Sequence, residues 1–524
     1  MAGDKGHAVF LLFLLHFPLL QAAKILTICF VGGSHYLQMD AISRILHNNG
    51  HDVRMFLQYG HSMLPGRPLQ QIPYPVSSYS LDENYVQKYK EVFAENQKDF
   101  FKGRDSLHNY LQFISELSYQ CNITLHQSEI LNFLKEEKYD LAILEAFNPC
   151  TFLTSEKLGV PYIAFFPSLF MNAGRVGMAS PLSYVPAFNS HLTDHMDFFG
   201  RLKNIFMYVG SYIVDKKIDA LFDNVIDEHF PEGSRPSIAD LHLKAELWIY
   251  NIDFSIEFPR PLLPNVQYIG GLLTRPAKPL TQELEAFVAD SGESGFIVVT
   301  LGSMISSFPL VDFLKEMNDG FAKLTQKIIW RYDKSSWPKE VNVAPNVRLM
   351  DWLSQNDLLG HPKARLLVTH GGMNSLMEAV YHGVPVLGIP LFGEQHENMV
   401  RIVAKNMGTL ILPNEMKAEY FTDTMQEILH NSRYKTSAMK QSVIMRSRPF
   451  PPDQHLVRWV EHIIQSGGGG HLKPYSYQQP WYQQCLLDII LFISACLSVI
   501  IYLIVKVIRV LIHFTCSNRK QKQN

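Results

Sequence analysis

The chain has 524 residues, of which 47% are hydrophobic and 18% charged, and Gly 31 with Pro 29 make up about 11%. That length predicts several domains at about 150 residues each, and the composition excludes a disordered, collagen-like or coiled-coil chain. A formal net charge of −2 gives no electrostatic footprint for a nucleic-acid partner, and 6 cysteines are too few for a disulfide scaffold.

Residues 1–23 hold Lys5, an apolar run over 9–20 and the small pair Ala22-Ala23, the layout of a cleaved secretory signal. Next comes KILTICFV at 24–31, nearly all apolar and closed by Gly32-Gly33, which predicts a strand of a parallel sheet buried on both faces. The runs at 140–144, 162–166, 296–301, 327–330, 366–369 and 386–389 read the same way. Amphipathic stretches between them fit crossover helices, so an α/β chain with two parallel sheets is expected. The apolar spacing thins over 271–282, GLLTRPAKPLTQ, which predicts a linker between an N-terminal domain at 24–270 and a C-terminal domain at 283–445. Residues 446–485 form a return helix and a juxtamembrane segment, with the four glycines at 467–470 read as a hinge.

Residues 486–505 are apolar but for Asp488, and as a helix they would span about 30 Å, the thickness of a bilayer core. Lys506, Arg509, Arg519, Lys520 and Lys522 follow in a basic tail at 506–524, as a cytosolic flank should. With the signal removed, the expected topology is type I and single-pass, with a luminal body. Lys520 and Lys522, fifth and third from the end, resemble a dilysine signal for retrieval to the endoplasmic reticulum. Asn122-Ile123-Thr124 is a glycosylation sequon and predicts a surface loop. Cys29, Cys121 and Cys150 are luminal on this topology, and spacing does not say which of them pair.

Two places carry chemistry. At 366–382 a strand turns through His370-Gly371-Gly372 into a helix closed by Gly383. Such a turn presents free N–H groups and the positive end of a dipole, which makes an anion site. Gly372 allows close approach, His370 and Ser375 add donors, and Glu378 sits one turn into the helix where it can accept from hydroxyls. The other place is His35, directly after the first strand, where ligands of open parallel sheets bind. No Asp-x-Asp pair occurs, and His396-Glu397-Asn398-Met399-Val400 lacks the second histidine of a zinc motif, so no metal is expected.

The segment at 351–395, DWLSQNDLLGHPKARLLVTHGGMNSLMEAVYHGVPVLGIPLFGEQ, resembles the signature of the UDP-glycosyltransferases. The whole chain is similar to their vertebrate membrane-bound members, most of all family 3. The resemblance implies two Rossmann-like domains facing across a cleft, the GT-B arrangement, plus the C-terminal transmembrane helix. It implies inverting transfer from a UDP-sugar (glucose, xylose, N-acetylglucosamine or glucuronic acid) to a hydroxyl of a small lipophilic acceptor. The UDP-sugar is a co-substrate, no metal is needed, and a homo-oligomer is compatible.

By resemblance, Trp352 stacks on uracil, Gln355 contacts the nucleoside and Glu378 holds the ribose. His370, Asn374 and Ser375 hold the diphosphate with Ser303 nearby, and Glu394-Gln395 binds the transferred sugar. Glu394 stands where the family more often has Asp, and the Phe392 ring leaves little room for a 2-acetamido group. His35 is the base, paired with Glu145, about 110 residues on and also more often Asp; Asp140 is the strand-start alternative. Arg260 resembles a position that could meet a glucuronate carboxylate. The aromatic and Met-bearing stretch at 155–265 reads equally as an apolar acceptor pocket or as membrane-proximal packing. A glycolipid-forming transferase and a non-catalytic luminal nucleotide-sugar-binding protein are the alternatives.

Overall fold

In the computed structural model, residues 22–59, 72–104, 106–168, 173–176, 178–303, 305 and 308–521 are described. The expected signal lies outside these residues but for Ala22 and Ala23, and so does Lys522 of the tail. The first sheet is built from β1 (Lys24–Cys29), β2 (Asp52–Tyr59), β3 (Val76–Ser80), β4 (Leu141–Glu145), β5 (Tyr162–Phe166), β6 (Leu247–Tyr250) and β7 (Val266–Tyr268). The second holds β8 (Phe296–Thr300), β9 (Lys327–Arg331), β10 (Val347–Met350), β11 (Ala364–Thr369), β12 (Val386–Gly388) and β13 (Gly408–Leu410). All pairings are parallel, in the orders β3-β2-β1-β4-β5-β6-β7 and β10-β9-β8-β11-β12-β13.

The apolar runs became strands because helices cover both faces: β4, β5 and β8 are buried at every position. Strands that the runs did not announce are either polar or short. β2 carries Asp52, Arg54 and Gln58, β3 (VSSYS) lies at a sheet edge with one buried residue, and β7 and β13 have three residues each.

Each sheet reverses its strand order once, between β1 and β4 in the first and between β8 and β11 in the second. At such a point the two outgoing connections run to opposite faces and leave a crevice at the strands' carboxyl ends. The helices Leu107–Leu125 and Pro149–Leu158 are joined by a disulfide between Cys121 and Cys150, which fixes the segment that leaves β4.

The Asn122 sequon is not in a loop. It lies in the last turns of the 107–125 helix, where Thr124 is fully buried and bonded to Tyr79, and the Asn122 carboxamide meets Glu228 and His229. Late in the chain the helix Pro452–Gln465 packs back on the helix Ser34–Asn48. In the glycine run that follows, Gly469 is a point of close backbone approach. Gly469 N–H donates to Glu246 at 2.8 Å, and a Cβ there would lie 1.9 Å from the Glu246 carbonyl oxygen.

This unit ends at His471, and Leu472–Asn524 form a second one. Its helix runs Leu487–Gln521, further than the expected end at 505, because no Gly or Pro interrupts the residues that follow 505. The stretch Leu487–His513 is long and apolar enough to cross a membrane, about 40 Å at 1.5 Å per residue.

Candidate active site

β1 delivers His35 through Gly33, whose φ of 61° is open to glycine at little cost, into the first turn of the 34–48 helix. β4, directly beside β1 in register (Ile28 opposite Leu144), delivers Glu145. His35 Nδ1 lies 2.9 Å from Glu145 Oε1, and the same oxygen accepts from the Phe147 N–H at 3.1 Å. Glu145 is 0% exposed, and its Oε2 has no partner among the described residues. With Nδ1 held by the carboxylate, Nε2 is the nitrogen left to meet a ligand. Asp140, by contrast, sits at the opposite end of β4 and accepts from the Lys24 N–H at 2.7 Å.

The second sheet supplies the facing half by the same device. Thr300 of β8 is paired with Thr369 of β11, so the connections 301–303 and 370–372 leave side by side. The His370 ring is held between them so closely that a Cβ at Gly302 or Gly372 would stand 2.5 Å from its Nε2. Burial and the charge of Arg331 push His370 down to about 4, so it is neutral at ordinary pH and donates through one nitrogen only. The helix Met373–His382 starts at Gly372 with no side-chain cap, which leaves its first N–H groups free for a ligand.

Around these two points one cavity of about 970 Å³ is lined by His35, Ser303, Trp352, Gln355, His370, Gly372, Asn374, Ser375, Glu378, Phe392, Glu394 and Gln395. The structure thus brings together every expected donor-side residue, and several already have partners. Gln355 donates to Glu378 at 2.6 Å, and burial raises the Glu378 carboxyl to about 8. The Asn374 side-chain oxygen accepts from Gln38 at 2.7 Å and Asn251 at 3.1 Å, so it bridges the two sheets' halves. Gln395 is buried with its oxygen on the N–H groups of Leu391 and Phe392, shaping the loop whose end carries Glu394. Burial raises the Glu394 carboxyl, and His35 lies near enough to oppose that shift. Phe392 packs on Phe100, ring centroids 4.8 Å apart, so its wall is backed from the first half.

Arg331 is a site residue that the sequence reading passed over. It ends β9, donates to the carbonyls of Gly302, Ser303 and Ile305, and puts its guanidinium 5.2 Å from the centre of the Trp352 ring. The signal was present: a polar side chain at the carboxyl end of an apolar strand is the mark that singled out His35. Trp352 is 41% exposed, which leaves ring surface open to the cavity. Arg260 does not line the cavity. It donates to Ser180 at 2.9 Å, so it is not placed to meet a donor carboxylate. Within the stretch 155–265, the helix Phe198–Ala220 lines the cavity with Met207, Ile213 and Val214 and exposes Phe198, Phe199 and Phe206.

A cleft between two parallel sheets, with a histidine–carboxylate pair on one side and an uncapped helix N-terminus on the other, suits transfer from an anionic leaving group to a hydroxyl. The family model described as "UDP-glucoronosyl and UDP-glucosyl transferase" matches residues 23–523. The chain belongs to the UDP-glycosyltransferase family. Among curated relatives it is 55% identical to UDP-glucuronosyltransferase 3A1 of Xenopus laevis over 100% of both chains. It is 48% identical to UDP-glucuronosyltransferase 3A2 of Homo sapiens over 90% of each. It is 34% identical to the human 2-hydroxyacylsphingosine 1-beta-galactosyltransferase over 90% of this chain and 85% of that one. Of solved structures, the calicheamicin glycosyltransferase CalG4 aligns with a TM-score of 0.57 at 16% identity, covering 84% of this chain and 98% of that chain. The glycosyltransferase VinC in complex with DTDP aligns at 0.53 and 15%, covering 84% and 100%. The fold is therefore GT-B, the protein is a UDP-glycosyltransferase enzyme, and the apolar C-terminal helix fits a membrane anchor.

Proposed function

We propose that the cavity holds a UDP-sugar against the second sheet and a lipophilic alcohol against the first, and that the enzyme joins them with inversion. Uracil lies on Trp352 and the ribose hydroxyls on Glu378 and Gln355. The diphosphate lies at the first N–H groups of the 373–382 helix, with Ser303, His370, Asn374 and Ser375 as further donors. The sugar meets Glu394 and Gln395. The acceptor hydroxyl gives its proton to His35 Nε2 as its oxygen bonds to the anomeric carbon, the bond to the phosphate oxygen breaks, and its electron pair leaves on UDP. Glu145 keeps the imidazole oriented and stabilises it once protonated. Charge on UDP is compensated by the helix N-terminus and neighbouring Arg331, so no metal step is invoked.

The observation that carries this reading is the 2.9 Å contact of His35 with buried Glu145 at the first sheet's switch point, in one cavity with the 373–382 helix N-terminus. Phe392, backed by Phe100, favours a compact donor without an N-acetyl group, such as UDP-glucose or UDP-xylose. The anchor orientation is type I with the body luminal, in the endoplasmic reticulum. An assay of UDP release across these donors and UDP-glucuronic acid, with a mixture of phenols, steroids and ceramides as acceptors, tests it. Release that depends on a small lipophilic alcohol is expected. Release with ceramide alone would favour a glycolipid-forming enzyme, and none with any pair would favour a binding protein.

A further inference from the structure

Beyond His35 the acceptor side of the cavity is walled by Phe113, Phe147, Phe166 and Val214, and then turns polar at one patch. Arg175, in the short turn Ala173–Val176, is clamped by Asp215 at 3.2 Å and Asp219 at 2.5 Å, both from the 198–220 helix. Beside it is His242, on the helix Ile238–Lys244. His242 lines the cavity but is only 1% exposed, with its ring against Phe152 and Trp248 at 4.8 and 5.7 Å. Neither of its nitrogens has a hydrogen-bond partner among the described residues. Burial and the Arg175 charge hold the imidazole neutral, so it has one donor and one acceptor to offer. A buried imidazole with both nitrogens unmatched costs stability, and a bound group that completes it would relieve that cost.

We propose that His242, with the Arg175–Asp215–Asp219 cluster, is a second acceptor subsite that recognises a neutral hydroxyl remote from the one receiving the sugar. A hydroxyl both donates and accepts, which matches a neutral imidazole, whereas a carboxylate would face two aspartates balanced by one arginine. The preferred acceptor is therefore an apolar skeleton with hydroxyls at opposite ends. The inference rests on the reading of this half of the cavity as the acceptor site.

The test compares three acceptors with UDP-glucose and the full-length enzyme in detergent: a rigid tetracyclic phenol, the same skeleton with a second hydroxyl on the far ring, and its far-ring carboxylate. The diol should show a KM about tenfold lower than the phenol with kcat within about twofold, and the carboxylate should be the poorest. His242→Phe should erase the difference between diol and phenol, and His242→Asn should retain part of it. Asp215→Asn, which serves even if His242→Phe does not fold, should improve the carboxylate relative to the diol. Equal KM values for phenol and diol in the wild type overturn the subsite alone, as does an unchanged ratio in His242→Phe. No transfer to any of the three overturns the subsite and the acceptor reading together.

Discussion

Replacing Glu145 with Gln keeps the shape of the side chain and removes its charge, so it isolates the electrostatic part of the proposed pair. A general base takes up its proton only as the reaction proceeds. In the transition state the ring carries the acceptor's proton, and the pair becomes an ion pair closed by a 2.9 Å hydrogen bond with a fully buried carboxylate. Two unit charges about 4 Å apart attract by about 4 kcal/mol at an effective dielectric of 20, and a hydrogen bond to a charged group contributes about 1.5–3 kcal/mol net. A loss of about 3–4 kcal/mol in the transition state corresponds to about 10²–10³ in kcat. The donor site does not include Glu145, so KM for the UDP-sugar should stay within about twofold. Steady-state UDP release at saturating acceptor measures both. A kcat within about threefold of wild type would refute the role given to the carboxylate and return Glu145 to a buried structural group.

Three further outcomes follow from the donor side. Trp352→Ala removes the ring expected to carry uracil, a contact worth about 1–3 kcal/mol by analogy with base stacking, so UDP affinity should fall about 10–100-fold in calorimetry with a chelator present. If wild-type binding disappears on chelation, charge compensation by the helix is wrong. Glu378, raised to about 8 in the free enzyme, must be ionised to accept from the ribose hydroxyls, so its protonated fraction competes with binding. UDP affinity should therefore rise about tenfold from pH 7 to pH 9 and stay flat in Glu378→Gln; a flat wild-type profile would remove the carboxylate from the nucleotide site. Phe392→Asn should shift preference toward UDP-N-acetylglucosamine in a competition between donors with one acceptor, and a wild-type preference for that donor would defeat the steric argument.

Much of this site could be read from residues that close apolar runs. His35 and His370 each follow a strand of a doubly wound sheet, and such strands are legible because burial on both faces makes them continuously hydrophobic. Glu145 was equally readable as the end of YDLAILE, and the structure places it, not Asp140, against His35. Arg331 escaped because the run before it was cut one residue early, at Trp330. Asn374 shows a different limit. A helix N-terminus announces free N–H groups, but nothing local announces that a side chain there also bridges to Gln38 and Asn251, more than 120 residues away in sequence. The sequon misled for a related reason: Asn-x-Thr is a short pattern, and whether its threonine is buried against Tyr79 depends on tertiary packing. Polar β2 and edge strand β3 were hidden because their stability comes from the neighbouring strand rather than from their own apolar content.

The most direct test of the account is His35→Ala, measured for UDP affinity and for turnover in the same preparation. His35 is placed to act only on the acceptor's proton, so UDP should bind with an affinity within about twofold of wild type while transfer falls to background at every pH. Turnover that survives the substitution, with UDP bound normally, would contradict the assignment of the base and with it the mechanism proposed for the cleft.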